Sequence, residues 1–133
     1  MAGYAIGGWI QVFYRRVHDV QPYDLSIALA IIIPTAGASS AYIGGWAADK
    51  LHQTIPSGKA WLCAVSSLLG SVTMAAVLLV PTATQSFICL WFEYLAAEMW
   101  YAPAVSIALD LNHPNTRAFA ASLYLACGCL GAA

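Results

Sequence analysis

The sequence predicts an all-α protein, a polytopic bundle of transmembrane helices. Of its 133 residues, 61% are hydrophobic and only 8% are charged, whereas soluble domains carry roughly 25% charged residues. The charges gather in short segments and leave long windows nearly uncharged, as a hydrocarbon core about 30 Å thick requires. Tryptophans lie toward the ends of these windows, where aromatic rings sit at the headgroup level.

Three segments have the length of a complete span. They run from about 25 to 48, from 59 to 80 and from 86 to 109, and a bilayer requires about 20 residues. We expect Asp24 to cap the first span and Pro34 to bend it. Pro81 ends the second span, and Pro114 prevents the third from continuing.

Two shorter apolar runs flank these segments. They cover about residues 3–14 and 118–133, and both are shorter than a span. Arg15 and Arg16 follow the first run, whereas a secretory signal carries its positive charge before the apolar run. We therefore interpret both runs as partial spans and residues 1–133 as a single fragment of a transmembrane bundle.

Small residues recur at every fourth position of the first span. Such rows let a neighbouring helix backbone approach closely, because helices in lipid associate through the packing of small residues. One row is Gly37, Ala41 and Gly45, and a second row, one residue earlier, is Ala36, Ser40 and Gly44.

Two carboxylates, Glu93 and Glu98, lie inside the third span. A carboxylate near the middle of a span costs about 2.5 to 3.5 kcal/mol on insertion scales. Protonation, a cationic partner or a water-filled cavity must compensate, and such residues mark proton relays and substrate pathways. A packing role, with a hydrogen bond to a neighbouring helix, is the other interpretation. The two residues are about 140° apart around a helix, which argues against a catalytic pair.

Pro103 cannot donate a hydrogen bond to the Met99 carbonyl and leaves that oxygen free. We expect Glu98, this carbonyl, Trp100 and Tyr101 to line one cavity. Glu98 and Glu93, with Trp100 and Tyr101, are therefore the candidates for binding substrate or coupling protons.

The remaining reactive residue types indicate no chemistry. The three histidines fall in predicted loops without a nucleophile beside them, and the cysteines lie inside apolar stretches as packing residues. No basic run suggests a nucleic-acid partner. The sequence therefore predicts no enzyme, no catalytic residue, no metal site and no cofactor. The residues concerned are His18, His52, His113, Cys63, Cys89, Cys127 and Cys129.

The link between the first two complete spans contains Gly45, Asp49 and Lys50. The glycine permits two helices to approach, while the carboxylate reaches the positive N-terminus of another helix. Such a contact stabilises one conformation of a bundle and would serve as a latch. A solvated helix end is the alternative interpretation.

The segment 44–50, Gly-Gly-Trp-Ala-Ala-Asp-Lys, resembles the Gly-x-Leu-Ala-Asp-Arg/Lys loop signature of the major facilitator superfamily. Segments 8–18, 97–103 and 117–121 are similar to the C-terminal half of its spinster-like members. After Lys50 the chain departs from the signature, since Leu51-His52-Gln53 replaces a glycine and a second basic group.

The resemblance implies a partial major-facilitator fold and a secondary carrier that moves a small molecule, such as a lipid or an organic solute, by alternating access. It implies a multi-pass membrane protein whose partners are the lipid bilayer, the substrate and an N-terminal half-bundle. Arg117 would face the signature loop of that half-bundle.

Two other functions stay open from the residues themselves. One is a small four-span transporter of the multidrug type, which works as a dimer around a buried glutamate. The other is a membrane assembly subunit without transport activity, in which the small-residue rows serve docking.

Overall fold

The computed structural model describes residues 2–55 and 57–130, with side chains from residue 8 to residue 128. All regular structure in these ranges is helical, which confirms the predicted all-α class. The elements are α1 (Ala2–Val17), α2 (Pro22–Thr54), α3 (Gly58–Leu79), α4 (Ala83–Ala97), α5 (Tyr101–Asp110), a short 3-10 helix (Pro114–Thr116) and α6 (Arg117–Leu130).

Among the described helices, α2 and α3 are long and apolar enough to cross a membrane. The most apolar 18-residue windows of α2 and α3 are only 22% and 17% buried. Neither helix therefore resembles the buried core helix of a soluble domain, whose surface is mostly covered. Helix α2 contains the predicted span 25–48, and α3 covers the predicted span 59–80 except for its last residue, Val80, which is the C-cap.

The boundaries of α2 differ from the prediction at both ends. Gln21 occupies the N-cap position and Pro22 the first turn, where a missing amide hydrogen has no cost. Asp24 lies within that turn and does not form a side-chain cap. The helix continues through Pro34. It ends at Thr54 because the next residue, Ile55, precedes Pro56 in the sequence, and a residue before a proline disfavours the helical backbone conformation.

The third predicted span is divided into α4 and α5. The backbone amide of Tyr101 bonds to the Glu98 carbonyl at 3.1 Å, a tight turn that separates the two helices. Pro103 occupies the first turn of α5, where the amide groups need no helical partner. The lost hydrogen bond at Pro103 follows from the sequence. The start of a new helix near Pro103 was not predicted.

Helices α2, α3 and α4 form a central unit in which successive helices run in opposite directions. Leu51 of α2 lies against Gly58 of α3. At the other end of α3, the Val77 carbonyl accepts a hydrogen bond from Ser86 of α4 at 3.0 Å. Consequently α2 and α4 run parallel to each other.

One of the two predicted small-residue rows forms the buried face of α2. Burial recurs at every fourth residue of α2, as expected when one helix face packs along its whole length. The second predicted row is exposed or half-buried. The buried row consists of Ile32, Ala36, Ser40, Gly44 and Ala48.

Helix α1 packs against the central unit, and helix α6 packs against α5. Tyr14 of α1 forms a hydrogen bond of 2.8 Å with Ser86 of α4, and its ring stacks on Phe87 at 4.6 Å. The described parts of the two predicted partial spans are thus helical, while residues 131–133 lie outside the described residues.

Candidate site at a buried glutamate

Glu93 lies on the inward face of α4. Ser86, Leu90 and Glu93 are the buried residues of this helix, and their spacing of four and three residues places them on one side. The Glu93 side chain is only 3% exposed. Among the described residues, none forms an ion pair or a hydrogen bond with its carboxylate.

Ser40 is the second unusual polar residue of the central unit. Its hydroxyl is fully buried and has no hydrogen-bond partner among the described residues. The other serine and threonine hydroxyls of α2 donate to carbonyl groups of their own helix, as these side chains usually do in helices. The Ser40 hydroxyl therefore faces the interior of the bundle.

Two contacts fix the alignment of α2 with α4. The indole nitrogen of Trp91 donates a hydrogen bond to the Thr35 hydroxyl at 3.0 Å. Further along, a Cβ atom placed on Gly44 would lie 2.6 Å from the carbonyl oxygen of Met99. The backbones of α2 and of the turn after α4 are therefore in close contact there.

Ser40 and Glu93 both lie between these two contacts, on the buried faces of their helices. A carboxyl group on α4 and a hydroxyl group on α2, each without a hydrogen-bond partner among the described residues, thus lie on the inward faces of their helices at a similar depth in the central unit. We call this region the Glu93–Ser40 layer. Glu93 is a candidate site residue from the sequence alone. Ser40 was not predicted as a site residue, although it belongs to the small-residue row that is buried in the structure.

The other proposed carboxylate, Glu98, lies at the end of α4. It is half-buried and occupies the C-cap position. Trp100 and Tyr101 follow at the start of α5, with their rings edge to face at 6.0 Å. The Met99 carbonyl oxygen, which the sequence predicts to be free, packs closely against Gly44 of α2.

Gly45, Asp49 and Lys50 of the resembled loop signature lie in the C-terminal part of α2. Gly45 has no atom within 4 Å of an added Cβ. Asp49 is exposed, and the Lys50 ammonium lies 5.1 Å above the ring of Trp46. Arg117 is exposed at the start of α6. Among the described residues, none of these charges forms an ion pair.

A different ion pair joins α3 to α5. The Lys59 ammonium donates to Asp110 Oδ2 at 2.5 Å and to Ser106 Oγ at 2.8 Å. The Lys59 side chain is 11% exposed and that of Asp110 57% exposed. The hydrogen bond and charge of Lys59 lower the pKa of the Asp110 carboxyl, with a smaller contribution from Arg117.

The positions of the two residues in the sequence provide a signal for this pair. Lys59 begins α3 and Asp110 ends α5. In an up-and-down bundle, these two helix ends lie on the same side. The two residues are 51 positions apart in the sequence, and this separation conceals the pairing.

His18 lies in the link after α1, outside the helices as predicted, and it is half-buried there. Its ring packs 5.5 Å from those of Phe13 and Tyr14. Its Nε2 atom is buried without a hydrogen-bond partner among the described residues.

The described residues contain no group of three or more side chains that could hold a metal ion. Cys63, Cys89 and Cys127 are free thiols, and the side chain of Cys129 lies outside the described ones. Comparison of the chain with protein-family models, curated proteins and solved structures finds no match.

Proposed function

We propose that this chain is part of a multi-pass membrane carrier that moves a small molecule by alternating access. The observation that carries the proposal is Glu93, a carboxylate 3% exposed inside a helical unit. The resemblance of segment 44–50 to the major-facilitator loop signature supports the same assignment. In that family, one bundle rocks against a second around a site at mid-membrane depth.

The surface of the chain supports a membrane environment. Large apolar side chains point outward along the central unit, including Leu68 and Leu79 of α3 and Ile31 of α2. Monomeric soluble proteins rarely expose contiguous apolar surface of this kind. Hydrocarbon lipid chains are the solvent that covers such a surface without cost.

The Glu93–Ser40 layer would act as the coupling site. An ionised carboxylate without a cationic partner is strongly disfavoured in an apolar interior. A bound proton removes that cost, and the buried Ser40 hydroxyl supplies a second polar group at a similar depth in the central unit. Proton binding at Glu93 would thereby favour one packing of α4 against its neighbouring helices over another.

Replacement of Glu93 by Gln tests this role. We expect the whole carrier that contains this chain, reconstituted in proteoliposomes, to accumulate a solute from a panel of organic cations, anions and lipids under an inward proton gradient. Glu93→Gln should abolish gradient-driven accumulation while exchange of the same solute continues, because exchange needs no net proton movement. Glu98→Gln is the matched control, since Glu98 lies at the end of α4 and is half-buried.

A spectroscopic measurement tests the site without a known substrate. Infrared spectra should contain the carbonyl band of a protonated carboxyl group, which Glu93→Gln removes and Glu98→Gln retains. The same band in both variants would assign the proton elsewhere and contradict the role of Glu93.

A second candidate function is assembly with a larger membrane protein. Gly37 and Gly45 form part of a small-residue row with no atom within 4 Å of their added Cβ atoms. Such a face accepts another helix at short distance. A stable complex that is lost in Gly37→Leu, together with no solute flux from any reconstituted form, would favour assembly over transport.

A further inference from the structure

A groove on the outside of the bundle separates α1 from α3. Its volume is about 390 Å³, within the range of sites that hold small molecules. The walls are apolar and aromatic except for one arginine, Arg16. The residues that matter here are Trp9, Phe13 and Val17 of α1 and Met74 and Leu78 of α3.

The end of the groove that contains Arg16 lies at the level of the helix termini. Tyr14, one turn before Val17, is held at the first turn of α4 by its hydrogen bond with Ser86. Leu78 lies in the last turn of α3. Arg16 is therefore at the level where α3 ends and α4 begins, which is a bilayer boundary if these helices span the membrane.

Arg15 and Arg16 also face a common smaller depression beside the groove. Among the described residues, the ion pair is that of Lys59 with Asp110, and no carboxylate pairs with either arginine. Guanidinium groups bind phosphate oxygens in a bidentate manner. The groove thus combines an apolar channel of acyl-chain character with a free anion-binding group at its polar end.

We propose that this groove binds an anionic phospholipid of the surrounding bilayer, with an acyl chain between α1 and α3 and the phosphate on Arg16. Basic groups at the ends of helices are the protein features that select anionic headgroups. The lipid is a resident one and not cargo. The inference requires only that the helices lie in a membrane, and it stands or fails separately from transport.

Native mass spectrometry of the purified chain provides the test. The chain in detergent is mixed with phosphatidylglycerol and phosphatidylcholine of identical acyl chains. We expect one phosphatidylglycerol to remain bound in preference to phosphatidylcholine. Arg16→Gln should lower this preference roughly five-fold, whereas Arg117→Gln, which removes the same group at the other end of the chain, should leave it unchanged.

A second variant tests the groove independently of charge. Met74→Trp fills the space between α1 and α3 and should reduce retention of both lipids, with Arg16 intact. Equal loss of preference in Arg16→Gln and Arg117→Gln would overturn the proposal, because it would indicate a general charge effect. Full lipid retention in Met74→Trp would also overturn it, because the acyl chain would then lie elsewhere. Melting curves in lipid-free detergent identify any variant that has failed to fold.

Discussion

At the scale of single residues, two adjacent glycines have different roles. A Cβ atom on Gly44 would lie 2.6 Å from the Met99 carbonyl oxygen, whereas one on Gly45 has no neighbour within 4 Å. The loop signature that the sequence resembles draws attention to Gly45. The packing of α2 against the turn after α4 depends instead on Gly44.

Gly44→Ala should therefore destabilise the bundle by about 1 to 3 kcal/mol, the usual cost of forcing an extra carbon into packed structure. Gly45→Ala should stabilise it by roughly 0.5 to 1 kcal/mol, because alanine is the better helix former. Thermal unfolding of both variants in the same detergent measures the difference. Equal melting temperatures would contradict the close contact between Gly44 and Met99.

The sequence predicted the existence of this contact but not its partners. Repeated small residues indicate that one face of a helix is packed closely, and two rows of α2 satisfy that pattern equally. The choice between the rows depends on the rotation of α2 relative to α3 and α4. Ser40 was missed for the same reason, since its role follows from which row is buried.

At the scale of elements, Lys59 connects the first turn of α3 to the last turn of α5. An ammonium group at a helix N-terminus is disfavoured by the helix dipole. Its burial is compensated by Asp110 and Ser106, which accept its hydrogen bonds. The contact holds α5 against α3 beyond the break that separates α5 from α4.

Asp110→Asn should lower the melting temperature at neutral pH, since a mostly buried ammonium then loses its anionic partner. The pKa of Asp110 is lowered in the folded chain. Its stabilising contribution is therefore complete above the ordinary carboxyl pKa and is lost as the pH falls through the lower folded value. The difference in melting temperature between wild type and Asp110→Asn should thus shrink in acid.

Lys59→Met provides the matched control. It removes the charge and retains an unbranched apolar side chain, so its melting temperature should vary less with acid than that of the wild type. A difference between wild type and Asp110→Asn that is constant from neutral to strongly acidic pH would exclude the ion pair as its cause.

At the scale of the whole molecule, the alternating directions of α2, α3 and α4 put the chain's links on two sides. The links before α2 and after α3 share one side, and those after α2 and after α5 share the other. Lys50, Lys59, Asp110 and Arg117 lie toward the second side. Exposed apolar side chains cover the region between.

Single cysteines test this arrangement. In a background whose four native cysteines are replaced by alanine, we introduce Gln53→Cys, Asn112→Cys or Gln21→Cys. An impermeant maleimide added to sealed vesicles should label positions 53 and 112 from one face and position 21 from the opposite face. Labelling of all three positions from one face would contradict a membrane-crossing arrangement of α2 and α3.

The sequence alone predicted most of the element order. Long uncharged windows and their flanking prolines locate α2 and α3. Both signals depend only on residues that are close in the sequence, because a hydrophobic window favours a span and a proline lacks the amide hydrogen that a helix needs. The division at residues 98–100 was not predicted, since Pro103 is compatible with either a bent helix or a new first turn. Contact of the Met99 carbonyl with α2 favours the second arrangement, and it depends on distant residues.

Under the proposed membrane assignment, the same division affects how the chain inserts during synthesis. Helix α4 has 15 residues and contains Glu93, while α5 has only 10 residues, so each is shorter than the roughly 20 residues that cross a bilayer alone. The ribosome delivers α2 and α3 earlier, and their buried faces offer α4 a surface less costly for Glu93 than lipid. The third apolar segment should therefore insert in cooperation with the α2–α3 hairpin, as a late and dependent step of biogenesis.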